Sequence, residues 1–238
     1  MKQGDFTSLA KNYIHRTGYS PRVLGALGKY IGVFHAGAAV ADVGAGTGKL
    51  TENLQELGLH GFAVEPNDAM RAEGILLSKG ISRFAWSKGS AEATGLADAS
   101  VDWVLMASSF HWTDQLAALK EFHRILKPGG FFTALWNPRD LEKSELHQRI
   151  ENRVHEIVPG LTRVSSGAKK YTENLEETLL SGGTFQDLIF MEAPHEVVMS
   201  SERYLGAWNS VNDIQAQAGG KFEKVMAAIS REIAGLKT

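Results

Sequence analysis

Residues 40–51 read Val-Ala-Asp-Val-Gly-Ala-Gly-Thr-Gly-Lys-Leu-Thr, with glycines at alternate positions between an apolar run and a helical pattern. A strand enters, Gly44, Gly46 and Gly48 turn the chain, and a helix leaves. Glycine allows a tight turn and lets a ligand come close to the main chain. Such a turn opens the crevice at the carboxyl end of a parallel sheet, where α/β proteins bind ligands. A phosphate loop needs G-x-x-x-x-G-K-[ST]. Gly48-Lys49 fits its end, but position 43 is Val and Leu50 follows the lysine. A dinucleotide turn needs G-x-G-x-x-G. Gly44 and Gly46 fit, but Lys49 stands where the third glycine is required. A strand–helix turn with no ligand is the plain alternative.

Other residues with chemical capacity follow at intervals. Glu65 ends the next apolar run, in Ala63-Val64-Glu65-Pro66-Asn67. A carboxylate only accepts hydrogen bonds, through two oxygens, which suits a vicinal diol. Gly89-Ser90-Ala91-Glu92 comes next, then Ala107-Ser108-Ser109-Phe110-His111-Trp112 after an apolar run, then Leu126-Lys127-Pro128-Gly129-Gly130 before another. His111 has a reference pKa near neutrality, so it is a candidate base or a substrate-orienting group.

In this order the motifs resemble the class I methyltransferases that use S-adenosyl-L-methionine (SAM), in particular the small-molecule type 11 family. The resemblance covers roughly residues 38–136. It implies a Rossmann-like fold, SAM as cofactor and S-adenosyl-L-homocysteine as product. Asp42, Gly44, Ala45, Gly46 and Gly48 match the family's first motif. Glu65, with Pro66, falls where the family binds the ribose hydroxyls. Ser90, Ala91 and Glu92 match its adenine turn, usually G-D-A-E; Ser90 replaces the acid, which shifts weight to the Ala91 backbone. Ser108 falls at the cofactor side of strand four. Phe110-His111-Trp112 is similar to a subgroup that includes trans-aconitate-type enzymes. That likeness implies a substrate pocket at Phe110, His111 and Trp112, and Trp136 and Asn137, ending strand five, are placed to face the same pocket. Tyr13 and Arg16, in A-K-N-Y-I-H-R-T-G-Y, resemble a cofactor-covering segment in which the arginine pairs with the methionine carboxylate.

The elements that must position these residues are legible as patterns. Apolar runs at 38–43, 61–65, 84–86, 101–106 and 131–136 predict strands. Leu50, Leu54 and Leu57 predict a helix ending near Gly58, and Leu116, Leu119, Phe122 and Leu126 another. Pro21 suits a helix start and Asn67 a helix cap. Alternation of strands with helices predicts an α/β fold: a mainly parallel sheet with helices on both faces. Phe185–Met191 and Glu196–Ser200, around Ala193-Pro194-His195, predict an antiparallel carboxyl-terminal hairpin. The expectation is one domain over 1–238. It comprises a helical lid at 1–35, a core at 38–136, an inserted helical cap at 139–183, and a hairpin with closing helices at 184–238. The cap mixes Arg139, Lys143, Arg149, Arg153, Arg163, Lys169 and Lys170 with acids, a mixture that does not mark an anionic pocket.

Composition narrows the function classes. Lys+Arg number 25 and Asp+Glu 27, a formal net charge of −2, so no basic field marks a nucleic-acid partner. No apolar run approaches the roughly 18 residues that span a bilayer, and the first residues show no basic-then-apolar leader. Cysteine is absent, which rules out disulfides and thiolate metal sites and fits a cytoplasmic location. The histidines show no spacing of a metal site, and G-x-S-x-G is missing. The expected activity is methyl transfer from SAM to a small molecule, by a monomer or homodimer. An oxygen acceptor is favoured because a histidine could deprotonate it. The rival readings are a SAM-binding regulatory or scaffold protein without turnover, and a nicotinamide-dependent oxidoreductase.

Overall fold

The structure, a computed structural model, describes residues 6–78, 83–139, 143–163 and 174–235. In chain order its strands are β1 (Val40–Val43), β2 (Gly61–Val64), β3 (Phe84–Ser87), β4 (Val101–Ala107) and β5 (Leu126–Leu135). Its α-helices are α1 (Pro21–Tyr30), α2 (Lys49–Glu56), α3 (Asp68–Leu77), α4 (Gln115–Ile125), α5 (Glu145–Ile157), α6 (Leu175–Ser181), α7 (Ser201–Asn209), α8 (Asn212–Ala218) and α9 (Phe222–Ala234). The chain divides into two compact units. A sheet unit comprises 18–136 and 169–196; a helical unit comprises 1–17, 137–168 and 197–238.

The sheet unit is built on a parallel sheet of order β3-β2-β1-β4-β5. All four residues of β1 are buried, as expected of a central strand covered on both faces. Successive side chains go to opposite faces. Ala41, Val43, Val104 and Met106 pack with Ala118, Leu119, Phe122 and Ile125 of α4. Val40, Trp103 and Leu105 pack with Leu24 of α1 and Leu50 and Leu54 of α2. The one polar atom of Trp103 is satisfied: its indole N–H donates to Thr133 Oγ1 at 2.8 Å.

Local signals place the helices. Ser20 Oγ accepts from Val23 N and Pro21 takes the first helical position of α1. Asn67 Oδ1 accepts from Ala69 N at 3.0 Å and Met70 N at 3.1 Å, capping α3. Trp86 of β3 lies against both Gly48 and Gly74; a Cβ at Gly48 would come within 3.1 Å of the indole. The predicted turn at Lys127–Gly130 sits inside β5 as an irregularity of its ladder. Pairing shifts between Val101↔Leu126 and Trp103↔Phe131, and Gly129 takes φ 78°. Lys127 Nζ bonds Asp102 at 2.8 Å across this break.

The predicted antiparallel hairpin does not form. Residues 185–200 hold no strand. Asp187 adopts φ 61°, which takes it out of the extended region. The apolar residues 188–191 are consecutive rather than alternating, so neither face could be buried alone. Phe185 instead packs its ring 6.2 Å from that of Phe132. Phe190 is left 81% exposed.

The helical unit holds a 3-10 helix at Thr7–His15 with α5, α7, α8 and α9. Ile150 and Val154, one turn apart on α5, pack with Trp208, Val211, Ile214, Val225, Ile229 and Ile233. Of the expected lid, residues 1–5 lie outside the described residues; of the expected cap, so do 140–142 and 164–173, including Lys169 and Lys170. No helix among the described residues is long and apolar enough to cross a membrane.

Candidate functional site

Gly44, Gly46 and Gly48 all take left-handed φ, at 71°, 60° and 88°. The amides of Gly44 and Ala45 both donate to the Val64 carbonyl, at 2.8 and 3.1 Å, which ties the turn to the end of β2. Glu65 follows directly. Its Oε2 accepts from Gly46 N and its Oε1 from Asn67 N, each at 2.8 Å. Arg71 donates to the Glu65 carbonyl at 2.9 Å. One carboxylate thus spans the glycine turn and the cap of α3. Each oxygen retains capacity for another donor. Burial pushes the Glu65 pKa up, against the two backbone donors.

Asp42 has no exposed surface. Its Oδ2 accepts from Thr51 Oγ1 at 2.5 Å, which pins the first turn of α2 to β1. Burial pushes its carboxyl up to about 7; the Thr51 bond opposes this and the Glu65 charge adds to it. Asp42 Oδ1, Thr47 Oγ1 and Ser109 Oγ are buried with no hydrogen-bond partner among the described residues. A Cβ on Gly44 would stand 2.8 Å from Ser109 Oγ. Buried polar atoms are normally satisfied. Three orphans around a glycine turn therefore mark a cradle that fits a polar ligand such as the amino-acid end of SAM.

The predicted adenine turn is closed by Ser90 N to Ala93 O at 3.0 Å and Ala93 N to Ser90 O at 3.3 Å. Ala91 is buried in the core, whereas Pro66 is exposed. Glu92 Oε1 accepts from Asp114 N at 2.9 Å and so helps anchor the start of α4. A network that the sequence reading missed holds the next loop. Glu121 Oε1 accepts from Thr94 N and Oγ1, at 2.8 and 2.6 Å. Arg124 bonds both Glu121 and Asp98. The arginine holds the Glu121 carboxyl down at about 2. The Glu121-x-x-Arg124 spacing on α4 was its visible trace.

At the end of β4, Ser108 adopts φ 55°, uncommon for a residue with a side chain. Its N–H donates to Leu135 O at 2.8 Å and its hydroxyl accepts from Tyr19 OH at 3.1 Å. Phe110 is wholly buried, and Trp112 is 41% exposed. Between them, His111 Nδ1 accepts the Trp136 indole N–H at 3.2 Å. An accepting nitrogen carries no hydrogen, so the proton of the neutral ring is on Nε2. Burial lowers the His111 pKa to about 4.

The sheet unit thus contains Asp42, Gly44–Gly48, Glu65, Ser90–Glu92, Ser108, Phe110–Trp112 and Trp136. Tyr13, Arg16 and Asn137 belong to the helical unit. There Arg16 donates to Ser210 Oγ at 2.6 Å and Ser210 O at 2.9 Å, and its guanidinium lies 4.8 Å over the Tyr13 ring. Asn137 donates to Thr17 Oγ1 at 3.1 Å.

Residues 41–134 match the family described as a methyltransferase domain. An uncharacterised methyltransferase of Mycobacterium tuberculosis is 43% identical over 105 residues, which are 44% of this chain and 42% of its own. A ubiquinone/menaquinone biosynthesis C-methyltransferase of Rubrivivax gelatinosus is 36% identical over 101 residues, 42% of this chain and 39% of its own. The chain therefore spans about two fifths of the length of these curated relatives. In fold it resembles an Anabaena variabilis protein described as a methyltransferase from an antibiotic biosynthesis pathway. The TM-score is 0.60, with 22% identity, over 91% of this chain and 89% of that one. Matched stretch and parallel sheet agree: residues 41–134 are similar to a methyltransferase domain, and the fold is the Rossmann-like one of the Anabaena protein.

Proposed function

We propose that the protein transfers the methyl group of SAM to a small-molecule acceptor, the two units being parts of one methyltransferase domain. The observation that carries this is Glu65, held between Gly46 N and Asn67 N beside three left-handed glycines and three orphaned polar atoms. When bound, SAM supplies an electrophilic methyl group on a sulfonium. The residues that would hold it are Gly44–Gly48 along the turn, Glu65 at the ribose, and Ser90, Ala91 and Glu92 at the adenine. Because the displacement disperses a positive charge, the protein mainly has to align two reactants and exclude water.

Ser108 joins the cofactor side, and on the acceptor side stand His111, Trp112 and Trp136. The Trp136 bond supports reading His111 as a neutral donor through Nε2–H, not as a base. With that, the argument for an oxygen acceptor that needs deprotonation falls away. The acceptor is one made nucleophilic without this histidine. The name of the Rubrivivax relative, a carbon methyltransferase of quinone biosynthesis, supports a small-molecule acceptor. So does the lack of a basic balance in the chain.

Calorimetry with S-adenosylhomocysteine tests cofactor binding, with a dissociation constant of about tens of micromolar expected or tighter, roughly −6 kcal/mol. Absence of heat would overturn the reading. Incubation of metabolite extracts with isotope-labelled SAM, followed by mass spectrometry, tests turnover. Labelled small molecules are expected; binding with no labelled product would favour a non-catalytic SAM-binding protein.

A further inference from the structure

In sequence the bases and acids of 139–163 balance; in the helical unit they sort into pairs and a remainder. Arg149 Nε and Arg153 Nε both reach Glu232, at 3.1 Å each. Arg163 lies 3.3 Å from Glu151 and 3.2 Å from Asp213. Arg139 has no hydrogen bond or ion pair with any described residue. Its guanidinium stacks 4.2 Å over the Trp208 ring, which is 1% exposed. Of the groups around it, Tyr204 and Glu151 relieve this only in part. Burial, then Arg16 and Arg163, pull its pKa down to about 10. The nearby carboxylate, Glu151, already holds Arg163.

Two further polar atoms beside the same indole are left over. The Tyr204 hydroxyl and His147 Nδ1 are buried and make no hydrogen bond among the described residues. Their rings are 5.7 Å apart and lie 6.3 and 6.5 Å from that of Trp208. Burial, with the Arg139 charge, keeps His147 down at about 4, so it stays neutral. The Arg139 guanidinium is half-buried, and a cation partly withdrawn from water without an acceptor is unfavourable. The Arg139 guanidinium, the Tyr204 hydroxyl and the Trp208 indole N–H are all donors, and an acceptor-rich anion serves all three.

We propose that Arg139, stacked on Trp208 beside Tyr204 and His147, is a binding site for the carboxylate of a small organic molecule. The planar fork of arginine matches a carboxylate with two parallel hydrogen bonds. The Tyr204 hydroxyl is a further donor. The charge count favours a monoanionic group over a phosphate dianion. Arg16 is engaged by Ser210 and Arg163 by two acids, so one arginine remains to neutralise the ligand. The carboxylate belongs either to the methyl acceptor or to a separate ligand.

The test uses the full chain, titrated with sodium succinate, sodium phosphate and sodium chloride at equal ionic strength. Melting temperature and calorimetry are the readouts. Succinate is expected to raise the melting temperature by about 2 °C or more at a concentration well above its dissociation constant. Arg139→Met is expected to weaken succinate binding about tenfold or more. It should leave S-adenosylhomocysteine affinity unchanged, and it should melt no lower than the parent without succinate, because it removes a partly desolvated charge and keeps an apolar stem over Trp208. Arg139→Lys, which keeps charge without the fork, serves should the methionine variant not fold, and is also expected to bind more weakly. Arg149→Gln, at a surface pair, should respond as the parent does.

Equal responses of the parent and Arg139→Met to succinate, or no response in the parent, would overturn the proposal. So would a response to phosphate as large as to succinate in both proteins, the mark of an adventitious ion only. Loss of labelled carboxylate products in Arg139→Met would place the site on the methyl acceptor. Unchanged products with lost succinate binding would place it on a separate ligand. Failure of S-adenosylhomocysteine to bind would remove the methyltransferase reading and leave the succinate result standing.

Discussion

Trp136 donates its indole N–H to Nδ1 of His111 across 3.2 Å, so one aromatic side chain sets which nitrogen of the other carries the proton. With Nε2–H as donor and a pKa near 4, His111 stays in one protonation state through the neutral range. The rate of methyl transfer is therefore expected to show no inflection near the ordinary histidine pKa of about 6.5. His111→Phe should lower kcat about 100- to 1,000-fold, the scale for losing one positioned donor. A pH–rate arm between about 6 and 7 that disappears in His111→Phe would return the residue to a base role.

Glu65 ties the glycine turn to the cap of α3 and is proposed to hold the ribose, and a conservative pair of variants separates the two tasks. Glu65→Gln keeps an acceptor for one of the Gly46 and Asn67 amides, whereas Glu65→Ala leaves both without a partner. Glu65→Ala should lose about 1–3 kcal/mol of S-adenosylhomocysteine affinity and lower the urea midpoint. Glu65→Gln should lose affinity with a smaller change in midpoint. Equal affinity in all three proteins would move the ribose assignment elsewhere.

Two buried carboxyls should bend the pH–stability curve in opposite senses. Asp42 has its folded pKa raised to about 7, so the folded state holds that proton more tightly than the unfolded chain. Its contribution is fully present below about pH 4 and is lost as pH rises to about 7. Asp42→Asn should therefore stabilise the protein above pH 7, by about 1–3 kcal/mol. Glu121, held at about 2, is the reverse. Its contribution is present above about pH 4.5 and is lost as pH falls towards 2. Glu121→Gln should cost about 2–3 kcal/mol near pH 7 and remove that part of the acid transition. Urea unfolding at a series of pH values checks both signs.

Glycines at left-handed φ differ in what an added methyl would meet. At Gly44 (φ 71°) a Cβ would stand 2.8 Å from Ser109 Oγ; at Gly58 (φ 83°) it would meet nothing within 4 Å. Gly58→Ala should cost about 1–2 kcal/mol, the backbone strain alone. Gly44→Ala should cost more and also weaken S-adenosylhomocysteine binding, which Gly58→Ala should leave intact. Calorimetry on both variants distinguishes the outcomes.

What the sequence made legible was local. The glycine turn, the Asn67 cap, the Pro21 start and the five strand cores are each specified within a few residues, and all of them form. What it hid depends on partners far along the chain. That Glu92 also anchors the start of α4 shows only once Asp114 N is seen 22 positions away. Arg139 reads as one charge among many until Arg149, Arg153 and Arg163 take their acids. The hairpin failed for a related reason. Phe185–Met191 has strand-forming residue types, but a positive φ at Asp187 and the pull of Phe185 towards Phe132 are tertiary facts.

The indole of Trp86 sits against Gly48, where α2 begins, and Gly74 within α3. Positions 48, 74 and 86 are therefore coupled in space, and their substitutions are expected to depend on one another. A methyl group at 74 has no room unless 86 shrinks, and a smaller 86 leaves a void unless 48 or 74 grows. In a library randomised at these three positions, folded survivors should show small residues compensating large ones, with alanine at 74 depending on the loss of tryptophan. The last glycine of the turn proposed to hold the cofactor is in this way tied to a residue of β3.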